Sequence, residues 1–165
     1  MPSIQRKRLP VRVARSATGR GVFARRSFRP TETVGRVRGK VIRDPSYTSD
    51  YCMDLGDEAS LEPAPPFRYL NHSCEPNCAL VQVEVFDEAD PQAPPQIQIW
   101  VETVAPVVRG EQLTIDYGWP AHSAVPCACA SPHCRGWIVA EEELDSIAAE
   151  SQRAPEAPPS SGAPG

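Results

Sequence analysis

Apolar and polar residues alternate most clearly in two runs of this chain, Val81, Val83 and Val85 in the first and Ile97, Ile99 and Val101 in the second. A period of two sends successive side chains to opposite faces of a strand. The connector from Asp87 to Pro95 is rich in Asp and Pro, so the two runs are expected as antiparallel strands joined by an exposed loop. Val11 to Ala14 and Gly21 to Ala24 are short apolar runs on either side of Arg15-Ser16-Ala17-Thr18-Gly19-Arg20, which predicts two strands around a glycine-bearing turn. A further strand-like region runs from Val34 to Ile42. Residues 44–67 are expected to be irregular, with Tyr51-Cys52-Met53-Asp54-Leu55 as their compact apolar piece. Helical spacing appears late, over 138–150, through Leu144, Ile147 and Ala148, with Glu141, Glu142 and Glu143 suited to exposed early turns. From Ser151 onward Pro, Ala, Ser and Gly dominate, which predicts a disordered tail. Many short strands, few short helices and long connections give a mostly β fold whose loops carry the function.

Composition narrows this. A chain of 165 residues fits one domain. No apolar run approaches the roughly 20 residues that span a bilayer, and Arg6-Lys7-Arg8 is followed by no apolar stretch of the secretory kind. The expectation is an intracellular, cytoplasmic protein without membrane contact, nuclear or chromatin-associated residence remaining open. Net charge is −4, yet residues 1–43 carry 13 Lys or Arg against Glu32 alone, while residues 44–165 carry 4 Arg against 20 acids. An acidic body steers basic peptides. The basic part either folds against that body or contacts nucleic acid; no aromatic stacking pattern accompanies its arginines. Six cysteines in a reducing compartment point away from a disulfide framework.

Three segments carry chemistry. Cys127-Ala128-Cys129-Ala130-Ser131-Pro132-His133-Cys134 supplies three thiolates close in sequence, and tetrahedral zinc needs a fourth ligand, for which His133, Cys52, Cys74 and Cys78 are candidates. The run Asn71-His72-Ser73-Cys74-Glu75-Pro76-Asn77-Cys78 is polar, turn-prone and thiol-bearing, a composition that packing alone does not select. Gly19-Arg20-Gly21-Val22-Phe23-Ala24 permits a tight turn or a close backbone approach, but it lacks the third glycine of a dinucleotide fingerprint.

Taken with Gly110-Glu111-Gln112-Leu113-Thr114-Ile115-Asp116-Tyr117, these segments resemble the core of the SET-domain protein lysine methyltransferases over residues 11–139. The resemblance implies a SET-domain β-fold in which the Asn-His-Ser-Cys run forms a pseudoknot against the Leu-Thr-x-Asp-Tyr strand, closed by a C-terminal zinc-binding post-SET segment. It implies a basic N-terminal lead at 1–10, a SET domain at 11–120, a post-SET segment at 121–139, a helix at 140–150 and the tail at 151–165. S-adenosylmethionine would be held by Gly19, Arg20, Gly21, Phe23, Asn71 and His72, with His72 a binder rather than a base. The family's fourth zinc ligand corresponds to Cys74, joining Cys127, Cys129 and Cys134, so Cys78 would be dispensable for metal. Methyl transfer to lysine needs a neutral amine, whose free pKa is about 10.4. An apolar channel disfavours the ammonium, and a phenol can orient the nitrogen. By resemblance Tyr117 performs this role, with Tyr51 as a second active-site tyrosine and Trp137 as a channel wall.

The chain departs from the family at Ile115, where these enzymes usually carry Phe or Tyr and where that choice helps set how many methyl groups are added. A smaller side chain favours higher methylation states. Residues 42–67 are short for the family, and no cysteine-rich segment precedes the match. The expected partner is a basic lysine-containing segment, such as a histone-like or ribosomal tail. The alternatives are a catalytically silent SET-fold module that binds a peptide, and a zinc-dependent nucleic-acid binder using the arginines of residues 6–43.

Overall fold

The computed structural model of the protein describes residues 9–147. The first eight residues of the basic lead, the end of the expected helix and the tail at 151–165 lie outside the described residues. Strand β1 (Val11–Ser16) turns through Ala17 and Thr18 into β2 (Gly19–Ala24), paired antiparallel from Val11↔Ala24 to Ser16↔Gly19. Gly19 closes that turn at φ 108°, in the region where a side chain is strained.

The expected single run over 34–42 divides into β3 (Thr33–Arg36) and β4 (Gly39–Ile42), which join different sheets. Gly39 lets β4 pair closely with its neighbouring strand, since a Cβ there would collide with the Glu62 carbonyl. Residues 44–67 are also more regular than expected. Strands β5 (Met53–Gly56) and β6 (Ala59–Pro63) form a hairpin, and β6 pairs with β4 on its other edge. Asp57 and Glu58 turn that hairpin with φ values of 48° and 57°. Such turns are normally announced by Asn-Gly or Asp-Gly, and an Asp-Glu pair conceals this one.

A short 3-10 turn, Phe67–Tyr69, leads into β7 (Asn71–His72), followed by β8 (Cys78–Val85), β9 (Gln96–Thr103) and β10 (Gln112–Ile115). The two alternating runs pair antiparallel as expected, with Val81 opposite Trp100 and Leu80 opposite Val101. That register sends Val81, Val83 and Val85 outward and Ile99 and Val101 into the core, where they are 2% and 0% exposed. β3 completes this sheet on the far edge of β9.

β10 lies at the centre of the site. It pairs antiparallel with β2, Leu113 opposite Val22, both fully buried, and parallel with β7, Thr114 opposite Asn71 and Ile115 opposite His72. Burial of such side chains contributes about 1.5–3 kcal/mol each, so the strand is anchored where it hands the chain to Asp116 and Tyr117. β11 (Val125–Pro126) and β12 (Trp137–Ile138) form a small separate ladder. This pairing claims the start of the expected 138–150 helix; a 3-10 turn follows at Glu141–Glu143 and helical conformation at 144–147.

Candidate active site and metal centre

Where β10 ends, a cavity of about 360 Å³ opens. Phe67, Leu70 and Ile115 form its apolar floor, Tyr51, Tyr117 and Trp119 stand on its walls, and Asp50, Asp54 and Asp116 also line it. The Tyr117 hydroxyl donates to the Leu70 carbonyl at 2.8 Å, and its ring lies 5.4 Å from that of His72 and 5.2 Å from that of Trp119. Burial, reinforced by nearby Tyr51, raises the Tyr117 pKa above the ordinary phenol range. Tyr117 therefore stays protonated and can orient a nitrogen but not take its proton. Tyr51 is 43% exposed, and the Arg68 guanidinium stacks 3.9 Å from its ring centroid. Arg68 is held in turn by Glu62, which also accepts from Ser49 Oγ at 2.7 Å and Tyr47 at 3.0 Å. Trp137, expected on the channel wall, is not among the lining residues: β12 carries it, 37% exposed, and Trp119 occupies the wall instead.

The expected cofactor residues gather beside this cavity. Asn71 Nδ2 donates to Ser16 Oγ at 3.1 Å and to the Arg20 carbonyl at 3.0 Å, tying β7 to the turn between β1 and β2. Arg20 donates to the Tyr69 hydroxyl at 3.0 Å and lies over its ring. Gly21 is buried, and Phe23 is half-buried under the Arg12 guanidinium. These segments present backbone and one aromatic face, a surface able to hold an adenosine and an amino acid group.

His72 is buried and internally committed. Its Nδ1 accepts the Tyr117 backbone N–H at 3.2 Å, and its Nε2 lies 3.3 Å from Cys74 Sγ. Burial lowers its pKa, so the ring is neutral, and its 3.4 Å approach to Asp116 is a polar contact rather than an ion pair. The ring thus sets the Tyr117 backbone on one side and Cys74 on the other. Asn77, which the sequence offered only as the end of its motif, staples that motif to β10: its Nδ2 donates to the Gln112 carbonyl at 2.9 Å and its Oδ1 accepts from Thr114 N at 2.9 Å.

On the far side of His72 the sulfurs of Cys74, Cys127, Cys129 and Cys134 lie within 4.8 Å of one another. Tetrahedral Zn²⁺ with bonds of about 2.3 Å sets its sulfurs about 3.8 Å apart, and Cys74 and Cys127 stand at 3.8 Å. Backbone N–H groups of Arg135 and Gly136 point at Cys74 and Cys134, each at 3.4 Å, as donors to thiolates do. The other candidates point elsewhere. His133 is 2.6 Å from Glu75, Cys78 is 1% exposed in the core, and Cys52 donates to the Ser49 carbonyl. Without a cation the thiols cannot ionise together: burial and the neighbouring thiols push Cys127 up to about 12, while at Cys129 burial is outweighed by hydrogen bonds that bring it down to about 6. A divalent ion resolves that conflict, so the set fits zinc. Arg135, next to Cys134, clasps Asp116 with two bonds of 2.7 and 2.8 Å. Burial opposes the Asp116 carboxylate, but this clasp holds its pKa below the usual range. The cysteine segment is thereby fastened to the residue before Tyr117, a link that only spatial proximity reveals.

A family model for the SET domain matches residues 19–118. Histone-lysine N-methyltransferase Set2 of Drosophila melanogaster is 31% identical over 154 residues, which is 82% of this chain and 6% of that protein. Human histone-lysine N-methyltransferase 2B is 32% identical over 147 residues, covering 78% of this chain and 5% of that protein. The chain therefore spans a small fraction of these relatives. Among solved structures, KRYPTONITE in complex with mCHH DNA, an H3(1-15) peptide and SAH superposes with a TM-score of 0.67 at 22% identity, over 82% of this chain and 31% of that one, a likeness of fold.

Proposed function

From a chain that belongs to the SET-domain family, we propose a protein-lysine N-methyltransferase that uses S-adenosylmethionine and acts on a basic protein segment. The observation that carries this reading is the convergence at the end of β10, where a tyrosine-walled apolar cavity and the segment bearing Asn71 and His72 meet across two paired residues. S-adenosylmethionine supplies, when bound, a methyl group on a sulfonium. Gly19, Arg20, Gly21, Phe23 and Asn71 would hold it, with the His72 backbone beside them. Asp50 and Asp54 attract a basic segment to the cavity. Phe67, Leu70 and Ile115 disfavour the ammonium, so the proton leaves to solvent before the nitrogen attacks. Tyr117 then aligns the lone pair, and Tyr51 with Trp119 bounds the side chain. Zinc on Cys74, Cys127, Cys129 and Cys134 would hold the C-terminal segment against this site. A histone-like tail and a chromatin-associated setting accord with the named relatives.

Incubation of the protein with labelled S-adenosylmethionine and a mixture of basic proteins should transfer label to lysine. In Tyr117→Phe the rate should fall about 100-fold, the scale that misplacing an attacking group costs. Unchanged labelling would remove Tyr117 from the reaction, and cofactor binding without labelling in the native protein would make the chain a binding module. Ile115 leaves the channel wall smaller than an aromatic residue would. Mass spectrometry under excess cofactor should accordingly reach trimethyl-lysine, with Ile115→Phe shifting product toward lower states; arrest of the native protein at monomethyl-lysine refutes this.

A further inference from the structure

The charge asymmetry of the sequence survives folding. Among the described residues, none of the ion pairs joins a base of residues 9–43 to an acid of the later part: Arg26 pairs with Glu32, Arg68 with Glu62, and Arg135 with Asp116. Part of the positive charge, on Arg12, Arg25, Arg26, Arg29 and Arg109, sits on segments that hydrogen bonds draw together, while Arg38, Lys40 and Arg43 lie on and beside β4. Arg25 follows β2, donates its Nε to the Val11 carbonyl at 2.9 Å and its backbone N–H to Pro10 at 2.8 Å, and so lies beside Arg12. The Arg109 backbone donates to Ser27 Oγ at 3.2 Å, and Phe28 pairs with Val107, which brings the 107–110 loop against the 25–29 loop. Arg26 and Arg29 flank Phe28. The side chains of Arg12, Arg25, Arg26, Arg29 and Arg109 are all exposed.

Glu32 and Glu111 lie beside these loops, and both accept hydrogen bonds there. Glu32 takes the Arg26 side chain and the Arg29 backbone N–H. Glu111 accepts from Val108 N at 2.8 Å and Asn77 Nδ2 at 3.1 Å. The face therefore presents strong positive charge on a chain whose net charge is −4, so attraction to a polyanion is local and does not follow from the whole-molecule charge. Guanidinium forks match phosphate oxygens, and release of condensed counterions gives affinity without a shaped pocket. Arg109 precedes β10 and Tyr117 follows it, a separation of up to about 26 Å along extended chain, whereas Arg12 lies over Phe23 beside the proposed cofactor residues.

We infer that this arginine face binds the phosphate backbone of nucleic acid without sequence preference, leaving the cavity at the other end of β10 open to a protein tail. The inference is independent of the proposed methyl transfer. It is tested by titrating the full chain with a mixed-sequence DNA duplex of about 30 base pairs at salt from about 50 to 200 mM, where binding should weaken steeply with salt. Arg25→Gln/Arg29→Gln/Arg109→Gln should flatten the log–log slope by about 2–3 and the same three changes to Lys should restore it. The charge-matched control Arg38→Gln/Lys40→Gln/Arg43→Gln, on and beside β4, should leave the slope unchanged. Absence of binding at low salt, equal loss in the two glutamine variants, or tighter binding to polyglutamate or to anionic phospholipid vesicles than to DNA would each overturn the inference. Methyl transfer to a free basic peptide should be equal in the native and Gln-substituted proteins. Its absence from both would strike the proposed enzyme activity and leave DNA binding to be judged on its own slope.

Discussion

Cys74 and Cys78 lie four positions apart in one motif and meet opposite surroundings. Cys74 faces three other sulfurs, while Cys78 is sealed in the core, where burial, with the Glu111 charge nearby, pushes its thiol from 9.0 up to about 12. A thiol whose pKa is higher folded than unfolded holds its proton more tightly in the native state. Its contribution to stability is complete below pH 9 and is lost as pH rises toward 12. At pH 10 that loss is about 1–2 kcal/mol. Urea unfolding at pH 8 and pH 10 should show a larger alkaline drop in the native protein than in Cys78→Ala by this amount; equal drops would mean the thiol does not titrate as its burial requires. At this scale the sequence motifs singled out Cys74, Tyr117 and Asn71, and the structure sets them beside the sulfur cluster, the cavity and the β1–β2 turn respectively. The sequence was a poor guide to Trp119, Asn77 and Arg135, whose roles depend on what folds beside them.

Among elements, the decisive junction is between β10 and the cysteine segment. Among the described residues the segment has a two-residue β11–β12 ladder of its own and the Arg135 clasp of Asp116, and a cation on its four sulfurs would add the remaining order. Chelation should raise amide hydrogen exchange over residues 124–139 and abolish methyl transfer, while β1, β2 and β10 keep their protection. Arg135→Met should likewise depress methyl transfer with zinc still at one ion per chain, and Arg135→Lys should recover part of it. Exchange unaltered by a chelator that removes the ion would deny the metal a structural part. The strand pairs flanking this junction were legible as alternation and turn glycines. The β5–β6 hairpin was not, because Asp57 and Glu58 adopt left-handed backbone angles that their residue types do not advertise. Nor was the division of 33–42 between two sheets, since the close approach of Gly39 to the Glu62 carbonyl depends on a strand more than 20 residues away in sequence.

In the whole molecule, Asp50 and Asp54 line the cavity beyond β10, where Arg68 and Arg135 are each held by a carboxylate, and exposed guanidiniums crowd the loops before β10. Composition by halves foretold the asymmetry, though not that it would stay segregated after folding. Relative placement of β7 and β10 was accessible only through family resemblance, since two-residue strands carry no periodicity and a parallel ladder leaves no turn signal between them. That ladder also orders events in time. Asn71 and His72 find their partners in Thr114 and Ile115, and Cys74 finds its partners later still in the chain. During synthesis from the N-terminus, the β1–β2 and β5–β6 hairpins can close as soon as they emerge, whereas the cavity wall must wait for Tyr117 and the cation site for Cys134. A nascent or truncated chain can thus be well structured and still have no site at all.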